Sequence, residues 1–155
     1  MHALSVKPKN AASLMKLPDT NVLVNSVNEF SPFRAQAAQW LENAFDSEAG
    51  VGFAWLALIG FVRVSTQRGI LKTPLSPANA LDVMDSWLSH PRASVLHPTG
   101  RHGDILAKLL LVADTAGNLT NDAHLAALSI EHNATLGSFD KDFKKFPGIK
   151  LDLLV

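Results

Sequence analysis

The sequence predicts an α/β domain in which a short parallel β-sheet is covered by helices on both faces. Short apolar segments alternate along the chain with longer amphipathic segments, an order typical of parallel strands joined by helical crossovers. Hydrophobic residues make up 47% of the sequence and charged residues 18%, which is enough apolar material for one substantial core. At 155 residues the chain has the length of a single domain.

The composition excludes several classes of function. The chain contains no cysteine, which excludes disulfides, cysteine-ligated zinc and thiol catalysis. Fourteen basic residues balance 14 acidic ones, so no overall field draws the protein to nucleic acid or to a membrane. The longest uncharged run, residues 51–62, is shorter than the roughly 20 residues of a membrane-spanning helix. We therefore expect a cytoplasmic protein without a membrane partner.

The N-terminal segment differs in composition from the rest of the chain. Residues 1–14 are small and polar without periodicity, so we predict a flexible extension that either precedes the true start or is dispensable. Residues 15–155 form the predicted domain. Its first element is a strand at residues 14–19, which ends at Asp19-Thr20-Asn21, a combination that favours turns and helix starts.

Two Ser-Pro pairs mark predicted helix starts, because serine is a good N-cap and proline fits the first helical position. Ser31-Pro32 opens a helix that runs to about Phe45, and Ser76-Pro77 opens one that runs to about His90. The apolar segment 55–66 lacks the alternation of a strand and is predicted to be a buried helix. Further helices are predicted at 105–112 and 122–132, and further strands at 93–96, 134–139 and 149–154.

Aspartates stand at the predicted carboxyl ends of two strands, where the active crevice of an open α/β sheet lies. Asp19 ends the first strand and Asp140 follows a later one, with Asp142 two residues beyond, while Asp122 lies in the first turn of a helix. Converging carboxylates suit Mg²⁺ or Mn²⁺, which would bind phosphate and activate water. The alternative is that Asp122 complements a helix dipole and Asp140 caps a turn.

Three segments, in this order, resemble PIN-domain ribonucleases, in particular toxins of the VapC type. They are Asp-Thr-Asn-Val-Leu-Val at 19–24, the segment 117–128 around Asp122, and 134–143 followed by Phe-Pro-Gly at 146–148. Between them, residues 55–66 with Gly-Phe-Val-Arg at 60–63, and then Pro-Leu-Ser-Pro at 74–77, resemble one branch of these toxins. The resemblance extends from about Met15 to the C-terminus.

The resemblance implies a PIN-like three-layer sandwich and a metal-dependent endoribonuclease, the toxin of a VapBC-type toxin–antitoxin system. It implies RNA as substrate, Mg²⁺ or Mn²⁺ as cofactor, a cognate VapB-type antitoxin and a homodimer. Asp19, Asp122 and Asp140 match three of the family's four acids and are the predicted catalytic and metal-binding residues, with Asp142 as a further metal ligand.

The fourth acid of the family, a glutamate, has no match, because no Asp or Glu occurs between Ala49 and Leu81. Ala57 or Leu58 stands about where it would fall. An alternative function is therefore a catalytically weakened PIN-fold module that binds RNA or an antitoxin.

Several other side chains are predicted around this site. Thr20, Asn21 and Ser138 are expected to hold carboxylates or waters by hydrogen bonds, or else to serve as simple turn and cap residues. Possible RNA-backbone contacts are Lys141, Lys144 and Arg63. The alternative for the two lysines is that they simply belong to a solvated loop, and the alternative for Arg63 is a buried ion pair.

Histidines and tryptophans are predicted to lie outside the site. His124 follows Asp122 by two positions, about 200° round a helix, so the two cannot face one metal. His102 has no ligand spacing. Trp40, Trp55 and Trp87 are expected on apolar faces, in the core or at a subunit contact.

Overall fold

The computed structural model describes residues 14–114 and 116–154, and these form a five-stranded parallel sheet. The strand order is β3-β2-β1-β4-β5. Opposite the central residue Leu17 of β1 stands Leu136 of β4. The strands are β1 (Lys16–Pro18), β2 (Val51–Phe53), β3 (Ala93–Val95), β4 (Thr135–Ser138) and β5 (Lys150–Leu153).

Six α-helices connect the strands within the described residues. They are α1 (Thr20–Val27), α2 (Arg34–Asp46), α3 (Trp55–Thr66), α4 (Pro77–Leu88), α5 (His102–Ala113) and α6 (Thr120–Glu131). Short 3-10 turns lie at Gly117–Leu119 and Lys141–Lys145. Parallel crossovers are right-handed, so the path from β1 to β3 and the return from β3 to β4 place their helices on opposite faces. The predicted three-layer α/β class is confirmed.

The core lies between the sheet and these two helical layers. The strand residues Leu17, Phe53 and Leu136 are fully buried, and Phe61 of α3 packs on the same cluster. Strands covered on both faces carry continuous apolar runs rather than alternation. In agreement with this, every residue of β2 and of β4 is buried.

Helix α3 has the predicted bounds, and α4 begins as predicted, with Ser76 Oγ accepting from Asn79 N at 3.1 Å. The prediction that Ser31-Pro32 opens a helix is wrong. Ser31 Oγ accepts from Phe33 N and its carbonyl from Arg34 N, so the pair forms a turn and α2 begins at Arg34. Helix α5 begins three residues before its prediction, because His102 and Gly103 carry no apolar signal.

Two elements were not predicted from the sequence. Helix α1 follows directly on Asp19, and β2 occupies the first residues of the uncharged run 51–62. Helix α1 has only eight residues, half of them polar, and β2 has three residues inside a longer apolar run, so periodicity identifies neither element.

The N-terminal segment 1–13 lies outside the described residues, so the extension remains a prediction. Trp40 and Trp87 are partly buried against the core as predicted, but Trp55 is 44% exposed and is not a core residue. Among the described residues, no helix combines the length and apolar character needed to cross a membrane.

Candidate active site

Asp19 lies at the point where the two central strands of the sheet end. It directly follows β1 and is the N-cap of α1, where its side chain accepts from Thr20 N at 2.7 Å. Its own N–H donates to the Gly137 carbonyl of β4 at 2.9 Å. The chain therefore fixes this carboxylate between two parallel strands whose connections leave in opposite directions. In α/β sheets such a switch point is the usual place for a ligand crevice.

Ser138, the last residue of β4, connects the residues that follow the two strands. Its hydroxyl donates to Asp19 Oδ2 at 2.8 Å and accepts the Asp140 N–H at 2.9 Å. Asn21 completes the cluster, because its Nδ2 donates to Ser138 Oγ at 3.2 Å and its Oδ1 accepts from Phe139 N at 3.2 Å. Asn21 and Ser138 thus stand beside the aspartates. Thr20 contributes its N–H, while its hydroxyl donates to the Ala57 carbonyl at 3.4 Å.

Asp140 and Asp142 belong to the turn after β4. Asp140 Oδ1 accepts the Asp142 N–H at 2.9 Å and so caps the 3-10 turn, which is the alternative role predicted for Asp140 from the sequence. Asp142 lies 3.4 Å from Lys145 Nζ in a partly exposed ion pair. That pair reduces the free negative charge of Asp142.

Asp122 reaches the same end of the sheet from the first turn of α6. It lines a cleft of about 330 Å³ together with Asp19. The other lining residues come from the starts of α1 and α6, from the 3-10 turn before α6, and from one face of α3: Thr20, Leu56, Ile59, Gly60, Arg63, Asn118, Asn121 and Leu125. The cleft is therefore built where helices of both layers meet the sheet edge.

Burial and neighbouring carboxylates raise the pKa values of two of these aspartates, Asp19 and Asp122. Burial raises the pKa of Asp19, and the hydrogen bonds from Ser138 and Thr20 oppose that rise while the charge of Asp140 adds to it. Burial, together with the charges of Asp19, Asp140 and Asp142, raises the pKa of Asp122 to about 7. The sequence-predicted acids are thus brought into one field of mostly uncompensated negative charge, since among the described residues only Asp142 of the four has an ion-pair partner.

Such a field suits a hard divalent cation, which prefers carboxylate oxygens and neutralises like charges. The carboxylates do not form a closed coordination set, however. In the part of the chain that the structure describes, no three acidic or histidine side chains stand together as a ready-made metal site. The donor chemistry fits Mg²⁺ or Mn²⁺, and the arrangement is that of an open cluster with room for water.

The residues of α3 that face the cleft differ from those expected. Ala57 and Leu58, predicted to occupy the place of the missing glutamate, are fully buried in the core. The cleft-facing positions are Leu56, Ile59, Gly60 and Arg63, which share one helical face. The wall opposite the aspartates is therefore apolar with one cation at its end. The rotation of α3 about its axis determines which of its residues face the cleft. The apolar sequence of this helix does not show that rotation, because apolar residues occur on all its sides.

Gly60 permits the close approach of α3 to the site. A Cβ at this position would lie 2.6 Å from Thr20 Oγ1. Only glycine lets α3 pack this tightly against the first turn of α1, and this packing closes one side of the cleft.

The predicted RNA-contacting cations separate in the structure. Arg63 lines the cleft with Asp19 and Asp122 and, among the described residues, has no ion-pair partner, so the alternative of a buried ion pair is wrong. Lys141 and Lys144 are exposed on the 3-10 turn after β4 and do not line the cleft.

A chain of partly buried polar groups joins α5 to α6. Glu131 Oε2 lies 2.5 Å from His102 Nδ1, and His102 Nε2 lies 3.0 Å from His124 Nδ1. The other oxygen of Glu131 accepts from the N–H and hydroxyl of Thr99, both at 2.7 Å. The sequence predicted that His102 and His124 are not metal ligands. In the structure they bond to each other, and His102 also bonds to Glu131. His124 and Glu131 are seven residues apart in α6, a spacing that puts both on one face of the helix and that could have been recognised in the sequence.

The fold and this acidic cleft define a PIN-domain protein, and a family comparison agrees. The model of the PIN domain matches residues 16–149. The chain therefore belongs to the PIN-domain family, as its three sequence segments indicated.

Individual relatives narrow the class to the VapC ribonucleases. The chain is 44% identical to Ribonuclease VapC37 of Mycobacterium tuberculosis over 138 residues, which cover 89% of this chain and 96% of that protein. The structure of VapBC2 from Rickettsia felis, bound to a DNA fragment from their promoter, superposes with a TM-score of 0.65 at 19% identity, covering 92% of this chain and 100% of that one. Mycobacterium tuberculosis VapC20, a sarcin-ricin loop cleaving toxin, gives 0.63 at 17% identity over 87% and 98%.

Proposed function

We propose that this protein is a metal-dependent endoribonuclease and the toxin of a VapBC-type toxin–antitoxin system. The observation that carries the proposal is the convergence of Asp19, Asp122 and Asp140 at the switch point of the sheet, where burial and the neighbouring carboxylates raise the pKa of Asp122 to about 7. The kinship with VapC ribonucleases supports RNA as the substrate.

In this proposal Asp19, Asp122 and Asp140 hold Mg²⁺ or Mn²⁺, with Asp142 as a further ligand once it leaves Lys145. The bound ion supplies a water of lowered pKa and neutralises charge on the scissile phosphate. Ser138 and Thr20 N–H hold the Asp19 carboxylate in one orientation, which keeps its free lone pairs directed to the cleft. Asn21 holds Ser138 in turn and thereby acts on the site indirectly.

Arg63 is the proposed phosphate-binding residue of the cleft. Its guanidinium has no acidic partner among the described residues and lines the same cavity as Asp19 and Asp122. A guanidinium matches the geometry of a phosphate in two parallel hydrogen bonds. Lys141 and Lys144 would contact the RNA backbone outside the cleft, where exposed lysines position a strand without reading its sequence.

The test is cleavage of a structured RNA pool by the purified protein with Mg²⁺, with Mn²⁺ or with EDTA, beside the Asp19→Asn variant. We expect discrete cuts that require the cation and disappear in the variant. Asp114→Asn, an exposed aspartate after α5, is the matched control and should cut like the wild type.

Two other results are possible: the first would remove the support from cleavage, and the second would contradict the proposal. Cuts that persist in EDTA and in Asp19→Asn come from another nuclease. Folded protein that binds RNA or antitoxin without cutting under either cation is the weakened binding module, which is favoured by the absence of an acid from the cleft-facing side of α3.

A cognate VapB-type antitoxin and a second copy of the chain are the proposed protein partners. An antitoxin arginine or lysine would neutralise the same carboxylates that the cation neutralises. Exposed apolar side chains on α5, Leu111 and Val112, offer a surface for a homodimer. Action on RNA under antitoxin control would take place in the cytoplasm.

A further inference from the structure

The cleft has more surface than an acid cluster needs for one scissile phosphate. Asp19 and Asp122 occupy one part of it, while the remaining walls differ in character from the acids. Asn118 and Asn121 line it from the 3-10 turn before α6 and the start of α6, and Leu56 and Ile59 line it from α3. Its volume of about 330 Å³ leaves room for a flat ring beside the phosphate.

The two asparagines present unused hydrogen-bonding groups. Both are exposed, and among the described residues neither side-chain amide has a hydrogen-bond partner. Each amide offers a donor and an acceptor side by side. Every nucleobase carries such a pair on an edge that is free when the base is unpaired, and RNA is recognised by sequence mainly through such bases.

Helix α3 supplies an apolar face of the cleft. Ile59 is 61% exposed although it lines the cleft, and Trp55, one turn earlier on the same face of α3, is 44% exposed. Exposed apolar side chains of this size on a cleft wall indicate a surface that a ligand covers. Arg63, at the other end of that face, lies where it would bind the phosphate attached to the base.

We propose that Asn118 and Asn121 with Leu56 and Ile59 form a subsite for one unpaired nucleobase next to the cut, and that this subsite sets the sequence preference of the enzyme. The inference rests on the proposed ribonuclease function. The base lies against the apolar wall, the amides bind its edge, and Arg63 binds the adjoining phosphate. Asn118 and Asn121 are specificity residues rather than catalytic ones.

The first experiment maps cut sites in RNA hairpins with randomised single-stranded loops. The wild type should enrich one base at one position flanking the cut. In Asn118→Ala and Asn121→Ala that enrichment should fall by about tenfold, since one good amide–base contact discriminates by that order. Asn79→Ala is the matched control, because Asn79 lies exposed in the first turn of α4, outside this cleft, and should keep the enrichment.

A second measurement separates the subsite from the nuclease. Binding of four single-stranded RNA pentamers, each of one base, is measured by fluorescence anisotropy in EDTA for the wild type, Asn121→Ala and Asn79→Ala. A base preference that only Asn121→Ala loses supports the subsite even if no cleavage occurs. Cleavage whose base preference survives both asparagine variants overturns the subsite and leaves the nuclease intact. Absence of both cleavage and base-selective binding overturns both.

Discussion

At the scale of single residues, Ser138 connects the site. Its hydroxyl holds Asp19 by a 2.8 Å bond and fixes the backbone of Asp140 by a 2.9 Å bond. Ser138→Ala leaves both unsatisfied, so we expect RNA cleavage to fall at least about tenfold and Mn²⁺ to bind more weakly. Calorimetric titration with Mn²⁺ and cleavage rates measure this. Ser129→Ala is the control, since Ser129 is also buried but its hydroxyl donates to the Ala126 carbonyl of the same helix. Equal losses in the two variants would argue against a role at the site.

Asp122 provides a second prediction at this scale. Its pKa of about 7 in the folded chain exceeds the ordinary 3.8, so this group favours folding below about pH 4 and loses that effect as pH rises to about 7. In EDTA, Asp122→Asn should therefore melt higher than the wild type at pH 8, and the difference should shrink toward pH 4.

Added Mn²⁺ should narrow the difference at pH 8, because a cation offsets the repulsion. Thermal melts across this range measure the effect. The control is Asp104→Asn, an exposed first-turn aspartate of α5, which should show no such trend. A pH-independent difference for Asp122→Asn would remove the electrostatic explanation.

At the scale of elements, the packing of α3 on α1 shapes the cleft. Gly60→Ala would place a Cβ 2.6 Å from Thr20 Oγ1 and push the helices apart. We expect a loss of about 1–3 kcal/mol in the free energy of unfolding, with reduced cleavage. Gly103→Ala in α5 meets nothing within 4 Å and should be neutral or stabilising by up to about 1 kcal/mol. Urea melts compare the two, and equal stabilities would contradict the close packing.

The polar chain between α5 and α6 is the second feature at this scale. The Glu131 side chain is fully buried; burial raises its pKa, but hydrogen bonds from Thr99 and His102 and the charge of His102 lower it by more. Its contribution to stability is present above about pH 4.5 and is lost as pH falls through the lowered value.

His102→Ala leaves this carboxylate without one partner, so we expect a loss of about 1–3 kcal/mol at pH 7. The loss should diminish in strong acid, as pH falls through the lowered pKa of Glu131. Urea melts at pH 7 and in strong acid measure it, and exposed His97→Ala is the control. A variant as stable as the wild type at pH 7 would show that the chain of bonds carries no net stabilisation.

At the scale of the whole molecule, the described surface carries an apolar patch remote from the acids. Leu111 and Val112 are 79% and 66% exposed at the end of α5. Leu111→Glu should convert the proposed homodimer to a monomer that keeps its thermal stability, because the side chain has little contact within one chain. Light scattering after size exclusion measures the mass. Leu81→Glu, on exposed α4, should stay dimeric; a monomeric wild type at tens of micromolar would contradict the homodimer.

The sequence alone determined the class of fold and the candidate acidic residues of the site. Alternation of short and long segments predicted the parallel sheet, and Asp19, Asp122 and Asp140 were identified because strand ends and motif order are local features of the chain. The Ser76 cap and the bounds of α3 were predicted for the same reason. Each of these depends on a few neighbouring residues.

The tertiary structure decided what depends on how elements meet. Only the packed helix phase shows that Leu56 and Ile59, rather than Ala57 and Leu58, face the cleft. The hydrogen bonds of Ser138 to Asp19, and of Glu131 to His102, join residues far apart in the chain, so no local pattern encodes them. The raised pKa of Asp122 likewise arises from burial and from charges on other elements, which come together only when the chain folds.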